Sequence, residues 1–291
     1  MWGMDTISIL KRLIAFETVS TDSNLALIDY VGDLLRTAGA DVQVIADPSA
    51  TKANLYATIG PMGQAGVMLS GHSDVVPVTG QNWQRPAFTL TSENGRHYGR
   101  GTCDMKGFLA SAISMAIRAA KHDLKTPLHL AISYDEEIGC IGVRSLIDLL
   151  AAAPVKPMFC IVGEPTSMAV ATGHKGKLAA RATCRGVAAH SALAPTGVNA
   201  IHLASDFVRA LRDIQDELAN SGTKDDDYDV PYTTVHAGII RGGVALNIVP
   251  DTCHVDFEIR NLAGEDASAI LAKIQAAADA IADNTPGSHR L

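Results

Sequence analysis

Runs of β-forming residues alternate with helical patterns over the first 162 residues, and this alternation restricts the fold more than any other feature of the chain. The predicted helices span residues 4–16, 23–38, 107–121 and 143–152, and the predicted strands span residues 41–45, 55–59, 67–69, 128–134 and 158–162. Because strands that alternate with helices lie side by side in one sheet, the order predicts an α/β fold. We expect a mixed, mostly parallel sheet covered by helices.

The pattern changes near Leu178, where a different set of elements begins. The predicted elements are a strand, a long helix, two strands and a final helix, at residues 179–185, 198–218, 233–240, 252–260 and 267–282. This order predicts a second domain of the α+β class. We therefore expect one domain at residues 1–177 and another at residues 178–291.

Charge and composition exclude several classes of protein. The 291 residues carry a formal net charge of −7, which argues against a nucleic-acid or anionic-membrane partner. The N-terminal stretch lacks the apolar core of a secretory signal, and no apolar run is long enough to span a bilayer. Five cysteines without a CxxC pair fit reduced thiols. We expect a cytoplasmic protein.

Histidine and carboxylate side chains follow several predicted strands. His72 comes after one strand, Glu136 and Glu137 after another, and Glu164 after a third. Asp104 lies in a glycine-bounded turn that leads into a helix. Since ligands bind at the carboxyl edge of open α/β sheets, these side chains should converge on one cleft. One imidazole and several carboxylates form a ligand set that suits Zn²⁺.

Each of these residues also has an ordinary structural explanation. His72 fits a buried core histidine, Asp104 a helix cap, and Glu136 and Glu137 a solvated turn. Their combination favours the metal site. In the adjacent pair, one carboxylate can bind the metal while the other acts as general base, and the chemistry alone does not decide which. Asp74 can accept the second ring N–H of His72 and fix its tautomer.

The same residues lie within a series of recognisable motifs. They are SGHSDVVPVTGQNW at 70–83, YGRGTCDMKGF at 98–108, SYDEEIG at 133–139, VGEPT at 162–166, GHKGKL at 173–178, GVAAHSA at 186–192 and ALNIVPDTCHVDFEIRNLAG at 245–264. The set resembles the zinc-dependent aminoacylase/carboxypeptidase G superfamily of metallohydrolases over nearly the whole chain. The resemblance implies a zinc-exopeptidase-like catalytic domain and a lid domain used for dimerisation.

The resemblance also implies a role for each candidate ligand. His72 would bind one metal together with Glu164, Asp104 would bridge two metals, and Glu137 would bind the other. Glu136 would be the general base. Members of the superfamily hold two Zn²⁺ per chain, and Co²⁺ is a possible substitute.

Further roles implied by the resemblance fall after residue 170. His190 would reach the active site of the partner in a homodimer and stabilise the oxyanion. Asn247 and Arg260 would hold the α-carboxylate of the substrate, and Lys175 is a candidate for the same region. The alternation at residues 252–260 independently places Arg260 on the face away from the lid core, which suits an anion clamp and an ordinary exposed arginine equally.

The function implied by the resemblance is hydrolysis of a small N-acyl amino acid. The motifs resemble most closely the members that convert N2-acetylornithine to ornithine and acetate in arginine synthesis. Relatives that act on N-succinyl-diaminopimelate share most of them, so that class of substrate is the alternative.

One departure from the superfamily concerns the last metal ligand. Members return from the lid to the catalytic domain and supply a C-terminal histidine, whereas His289 here lies outside any such motif. We therefore expect the C-terminal part of the catalytic domain to be absent from these 291 residues, which leaves the second zinc site short of a ligand. The alternative function is an inactive chain that acts only as a metal-binding dimerisation module.

Overall fold

The computed structural model describes residues 5–285, and in it the chain divides into two compact units. They are Met1–Ala169 and Val170–Leu291. The boundary predicted between residues 177 and 178 lies shortly after this division. His289 and the predicted start of the first helix at residue 4 lie outside the described residues.

The described part of the first unit, from residue 5 onward, contains seven strands: β1 (Asp41–Ala46), β2 (Ala53–Ile59), β3 (Val67–His72), β4 (Thr91–Glu93), β5 (Arg96–Tyr98), β6 (Leu128–Ser133) and β7 (Phe159–Val162). Five of them form one sheet in the order β1-β2-β6-β3-β7. β3 pairs in parallel with β6 and β7, whereas β2 pairs antiparallel with β1 and β6. Within this sheet β2 alone opposes the common direction. The predicted α/β class with a mixed sheet is confirmed.

Four helices cover this sheet: α1 (Thr6–Ile14), α2 (Leu25–Thr37), α3 (Lys106–Ala119) and α4 (Val143–Ala152). The core between α1–α3 and the sheet includes Leu55 of β2 and Leu130 of β6. On the opposite face of β2, Asn54 Nδ2 donates to Gly142 O at 2.7 Å, at the start of α4. The sheet is therefore covered on both faces, as its nearly continuous burial along β2 requires.

Helix α1 shows how the apolar pattern selects a buried face. Its buried residues are Ile9, Leu10, Leu13 and Ile14. This spacing recurs once per helical turn, so the four side chains share one face. The carboxylate of Asp5 accepts a hydrogen bond from Ser8 N at 2.7 Å and caps the first turn.

The structure contains a hairpin of β4 and β5 that is not among the strands predicted from the sequence. Its two-residue turn is Asn94-Gly95, and both residues have positive φ, 51° and 74°. Asn-Gly is the sequence most suited to such a turn, so the signal for the hairpin was present.

The parallel strands place the site. His72 is the Cα partner of Ser133 across β3 and β6, and Ser70 is the partner of Val162 across β3 and β7. The carboxyl ends of the three strands therefore meet at one edge of the sheet, which is where ligands bind in α/β folds.

The second unit contains β8 (Leu178–Arg185), a 3₁₀ turn (Ser191–Thr196), α5 (Ala200–Ser221), β9 (Thr234–Gly242), β10 (Thr252–Arg260) and α6 (Ala267–Asp283). Its strands pair antiparallel in the order β8-β10-β9. The predicted alternation in β10 is confirmed, since every second residue is buried: Cys253, Val255, Phe257 and Ile259. None of the helices in the described part of the chain is both long and apolar enough to cross a membrane.

We expect the burial of α1 to appear directly in stability. Leu13 is 0% exposed, so Leu13→Ala should leave a cavity and lower the free energy of unfolding by about 2–5 kcal/mol. Ile7 lies in the same helix and is 42% exposed, so Ile7→Ala should cost about 1 kcal/mol or less. Urea unfolding followed by circular dichroism measures both. Equal losses would contradict the packing of α1 described above.

Candidate active site

The five predicted side chains at the sheet edge lie together in the structure. The Nε2 atom of His72 lies 3.0 Å from Asp104 Oδ1. It also lies 3.8 Å from Glu136 Oε2 and 3.8 Å from Glu164 Oε1. The segments that follow β6 and β7 and the turn that precedes α3 therefore meet at the imidazole that ends β3.

Two sets of three side chains have the geometry of a metal site. One contains His72, Glu136 and Glu164, and the other contains His72, Asp104 and Glu137; within each set the ligand atoms all lie within 4.8 Å of one another. Imidazole nitrogen and carboxylate oxygen suit a borderline divalent cation. The donor set therefore fits a metal, although the structure groups Glu136 as well as Glu137 with possible ligands.

The electrostatics of the cluster favour a cation. Burial opposes the charged form of His72, but the hydrogen bond and charge of Asp74 and the charges of Glu164 and Glu136 raise its pKa to about 9. Burial and the neighbouring carboxylates, Asp104 among them, raise the pKa of Glu137 and of Glu164. The carboxylates repel one another, so a bound divalent cation would relieve a repulsion that the fold builds in.

Asp74 is only 2% exposed, and its carboxylate contacts several residues of the candidate site. Its Oδ1 atom lies 3.4 Å from His72 Nδ1, and its own backbone oxygen lies nearer, at 3.0 Å. The carboxylate also accepts the backbone N–H of Glu136 at 3.1 Å and of Glu137 at 3.3 Å, and the hydroxyl of Ser20 at 2.6 Å. Asp74 thus orients the imidazole and the carboxylate pair together.

Only the contact of Asp74 with His72 was expected from the sequence. Burial opposes the charge of Asp74, but hydrogen bonds from His72 and Ser20 prevail and lower its pKa. The bonds to Glu136 and Glu137 join residues 62 or 63 positions apart, and no local pattern signals them.

The Asp104 turn rests on a lysine that sequence reasoning missed. Lys106 is 0% exposed, and its Nζ atom donates to Phe16 O at 2.7 Å. Burial lowers its pKa to about 7. Its backbone N–H donates to Gly101 O at 2.8 Å, and Gly101 has φ +83°, a conformation that favours glycine. A charged residue on an otherwise apolar helix face was the available signal.

In the second unit, His190 and Asn247 lie on adjoining segments. His190 forms a β-bridge with Ile248, and Ser191 N donates to Asn247 O at 2.9 Å. His190 is exposed, and its Nδ1 atom accepts a hydrogen bond from Ala192 N at 3.1 Å. This leaves Nε2 as the ring nitrogen that can serve a ligand.

Arg260 and Lys175 lie at the other end of β10. Arg260 is the last residue of the strand, and its Nε atom donates to Glu258 Oε1 at 3.0 Å. Lys175 Nζ donates to Tyr232 O, and the next residue, Gly176, donates to Asn261 O at 2.8 Å. A strand of nine residues spans about 26 Å. Within one chain the structure therefore does not bring Asn247 and Arg260 together.

Comparison with known proteins identifies the family. The chain is 36% identical over 261 residues to an acetylornithine deacetylase of Myxococcus xanthus, an alignment that covers 88% of this chain and 67% of the relative. It is also 36% identical over 265 residues to an acetylornithine deacetylase of Proteus mirabilis, covering 89% of this chain and 67% of that one. The chain belongs to the acetylornithine deacetylase family. It spans about two thirds of the length of these family members.

Two further comparisons agree with this family. Residues 172–286 match the family model of the peptidase dimerisation domain, so the second unit is similar to that domain. The fold resembles that of an M20 metallo-carboxypeptidase from Sulfolobus solfataricus, with a TM-score of 0.72 at 17% identity over 95% of this chain and 75% of that chain. Over most of its length this chain thus has the same fold as that carboxypeptidase.

We expect Asp74 to be needed for metal affinity. Asp74→Asn keeps the size of the side chain but removes the negative charge beside His72. It also turns an NH₂ group toward one of the N–H or O–H groups from which the carboxylate accepts a hydrogen bond. Loss of such an outer contact should weaken Co²⁺ binding by about 10–100-fold, measured by calorimetric titration. Asp266→Asn is the matched control, because Asp266 also accepts a backbone N–H, at 2.8 Å, but caps α6. Equal affinities for Co²⁺ in wild type and Asp74→Asn would contradict the assigned role.

Proposed function

We propose that this chain is a metal-dependent amidohydrolase that removes the acetyl group from N2-acetylornithine, giving ornithine and acetate. One observation carries the proposal: an imidazole and four carboxylates converge at one sheet edge, in a chain 36% identical to acetylornithine deacetylases. We propose a cytoplasmic homodimer formed through the dimerisation domain. The five free cysteines suit the reducing compartment.

His72, Asp104, Glu137 and Glu164 are the residues that we propose to hold the metal. Their nitrogen and oxygen donors suit Zn²⁺, with Co²⁺ as a substitute. A divalent ion at this position would supply Lewis acidity, which polarises an amide carbonyl and lowers the pKa of a nearby water. The family resemblance implies two ions, which His72, Asp104, Glu137 and Glu164 would hold between them.

Glu136 is the residue that we propose as general base. Its carboxylate is half-buried beside His72, and its backbone is fixed by the hydrogen bond to Asp74. In that role it takes a proton from the attacking water and then delivers it to the nitrogen of the leaving amine, while the C–N bond breaks. Asp74 keeps Glu136 and the ligand His72 in a constant relation during both transfers.

The dimerisation domain supplies the remaining proposed contacts. We assign His190 to the oxyanion of the partner's substrate, and Asn247 and Arg260 to the α-carboxylate. Because Asn247 lies before the start of β10 and Arg260 is the last residue of that strand, these two residues of one chain serve two different active sites in this proposal. Lys175 donates one hydrogen bond to Tyr232 O, which leaves donors of its ammonium group for the substrate at the Arg260 end of the domain.

The substrate is tested by measuring amine release from N2-acetylornithine, N-succinyl-diaminopimelate and other N-acetyl amino acids. We expect chelator-sensitive turnover in Zn²⁺ or Co²⁺, with the highest kcat/KM for N2-acetylornithine. Preference for the succinyl substrate would replace the substrate assignment with the other N-acyl class. Binding of Co²⁺ without turnover of any substrate would favour a metal-binding dimerisation module instead.

We expect Glu136→Gln to separate catalysis from metal binding. Without a proton acceptor, kcat should fall by about 10²–10⁴-fold, while the metal content of the purified protein stays at the wild-type level. Glu137→Gln is the matched control, because it removes a proposed ligand by the same chemical change and should lower metal content. If Glu136→Gln instead loses metal as Glu137→Gln does, Glu136 is a ligand and the assignment of the base is wrong.

A further inference from the structure

A buried ion pair lies next to the candidate active site but outside its set of ligands. Lys52 Nζ lies 2.5 Å from Asp135 Oδ1 and 2.6 Å from Oδ2, and the two side chains are only 10% and 11% exposed. Lys52 directly precedes β2, and Asp135 directly precedes the Glu136-Glu137 pair. Neither residue has a role in the reaction derived above.

Asp135 occupies the point where the chain turns from β6 into the site. Its φ is +52°, in the left-handed region, which few residues other than glycine adopt and which aspartate and asparagine tolerate better than most. Beyond it, Gly139 N and Cys140 N both donate to Glu136 O at 2.9 Å. The conformation of Asp135 therefore determines the direction in which Glu136 and Glu137 leave the strand.

The contacts of Asp135 fix both its side chain and its backbone. Besides Lys52, the carboxylate accepts Thr21 N at 3.3 Å, and the backbone oxygen accepts Ile141 N at 3.1 Å. Lys52 is fixed in turn, because its backbone N–H donates to Asp47 Oδ1 at 2.8 Å and its backbone oxygen accepts Asp47 N at 2.9 Å. The ion pair thus joins the hydrogen-bonded turn between β1 and β2 to the turn that carries Glu136 and Glu137.

Stability alone is a poor reason for such a pair. Moving two charges out of water is costly, and replacing a buried ion pair by apolar residues of similar size is often neutral or stabilising. What the pair supplies is a defined geometry, since a carboxylate that meets one ammonium through both oxygens has little freedom to rotate.

We propose that Lys52 is a positioning residue, which through its ion pair with Asp135 sets the placement of Glu136 as base and Glu137 as ligand. The effect on catalysis rests on the proposed function, whereas the effect on metal binding does not. A shift of about 1 Å at a reacting group can reduce a rate by about 100-fold, so fixing this turn has a measurable consequence.

Three variants separate positioning from folding. Lys52→Met removes the cation and leaves Asp135 buried and unpaired. Lys52→Met with Asp135→Asn removes both charges, and asparagine tolerates the left-handed conformation. Lys52→Arg keeps the cation. For each we would measure kcat and KM with N2-acetylornithine, the free energy of unfolding in urea, and the affinity for Co²⁺ alone by calorimetry.

We expect Lys52→Met to lower kcat by about 10–100-fold with KM within about 3-fold, and to weaken Co²⁺ binding by about 10-fold. The double variant should regain stability relative to Lys52→Met, because no unpaired charge remains, yet keep the low kcat and the weak Co²⁺ binding. Lys52→Arg should retain most of both. Leu35→Ala is the control for stability, since Leu35 is a fully buried core residue of α2 and should lose stability without losing Co²⁺ affinity.

Recovery of kcat and Co²⁺ affinity together with stability in the double variant would overturn the proposal, because the pair would then matter only for folding. The same holds if Lys52→Met loses no more Co²⁺ affinity than Leu35→Ala. If the wild-type chain turns over no substrate, the proposed function fails, and the Co²⁺ affinities alone decide: selective weakening in Lys52→Met and in the double variant still supports positioning.

Discussion

The parallel register of β3 between β6 and β7 determines where the ligands of the first unit stand. His72 ends β3 opposite Ser133, and the residues that follow β3 and β6 leave the sheet at the same edge. A slip of one residue would turn every side chain of the strand to the other face and remove His72 from the cluster. The apolar residues of β6, which face the core of α1–α3, oppose such a slip, so hydrophobic packing and the metal site depend on the same register.

A set of buried polar residues behind this edge of the sheet holds the segments that carry the candidate ligands. Asp74, Lys106 and the Lys52–Asp135 pair all belong to this set, and each connects a ligand-bearing segment to a part of the chain distant in sequence. The segment after α1 completes the set, since Ser20 binds Asp74 and Thr18 Oγ1 donates to Ser73 O at 2.6 Å. Buried polar groups of this kind are costly unless all are satisfied, and their mutual satisfaction is what gives the cluster one geometry.

The sequence predicted the parts of this arrangement that have a local cause. Strand ends and the alternation in β10 follow from short-range patterns, and the structure confirms them. The structure also brings the candidate ligands that follow these strands close together. The contacts of Asp74 with the Glu136 backbone and of Lys52 with Asp135 have no such cause, because they join positions 62 and 83 residues apart. The separation of Asn247 from Arg260 was not predicted for a similar reason, because a sequence motif does not give the distance between two residues in the fold.

The candidate ligands differ in the number of sheet neighbours of the strands that carry them. His72 and the Glu136-Glu137 turn follow strands that are paired on both sides, whereas Glu164 follows a four-residue strand that pairs only with β3 in the described sheet. All four residues of β7 are exposed in the described part of the chain. Within the described residues, the place of Glu164 beside His72 therefore depends on a single set of strand contacts, those between β3 and β7.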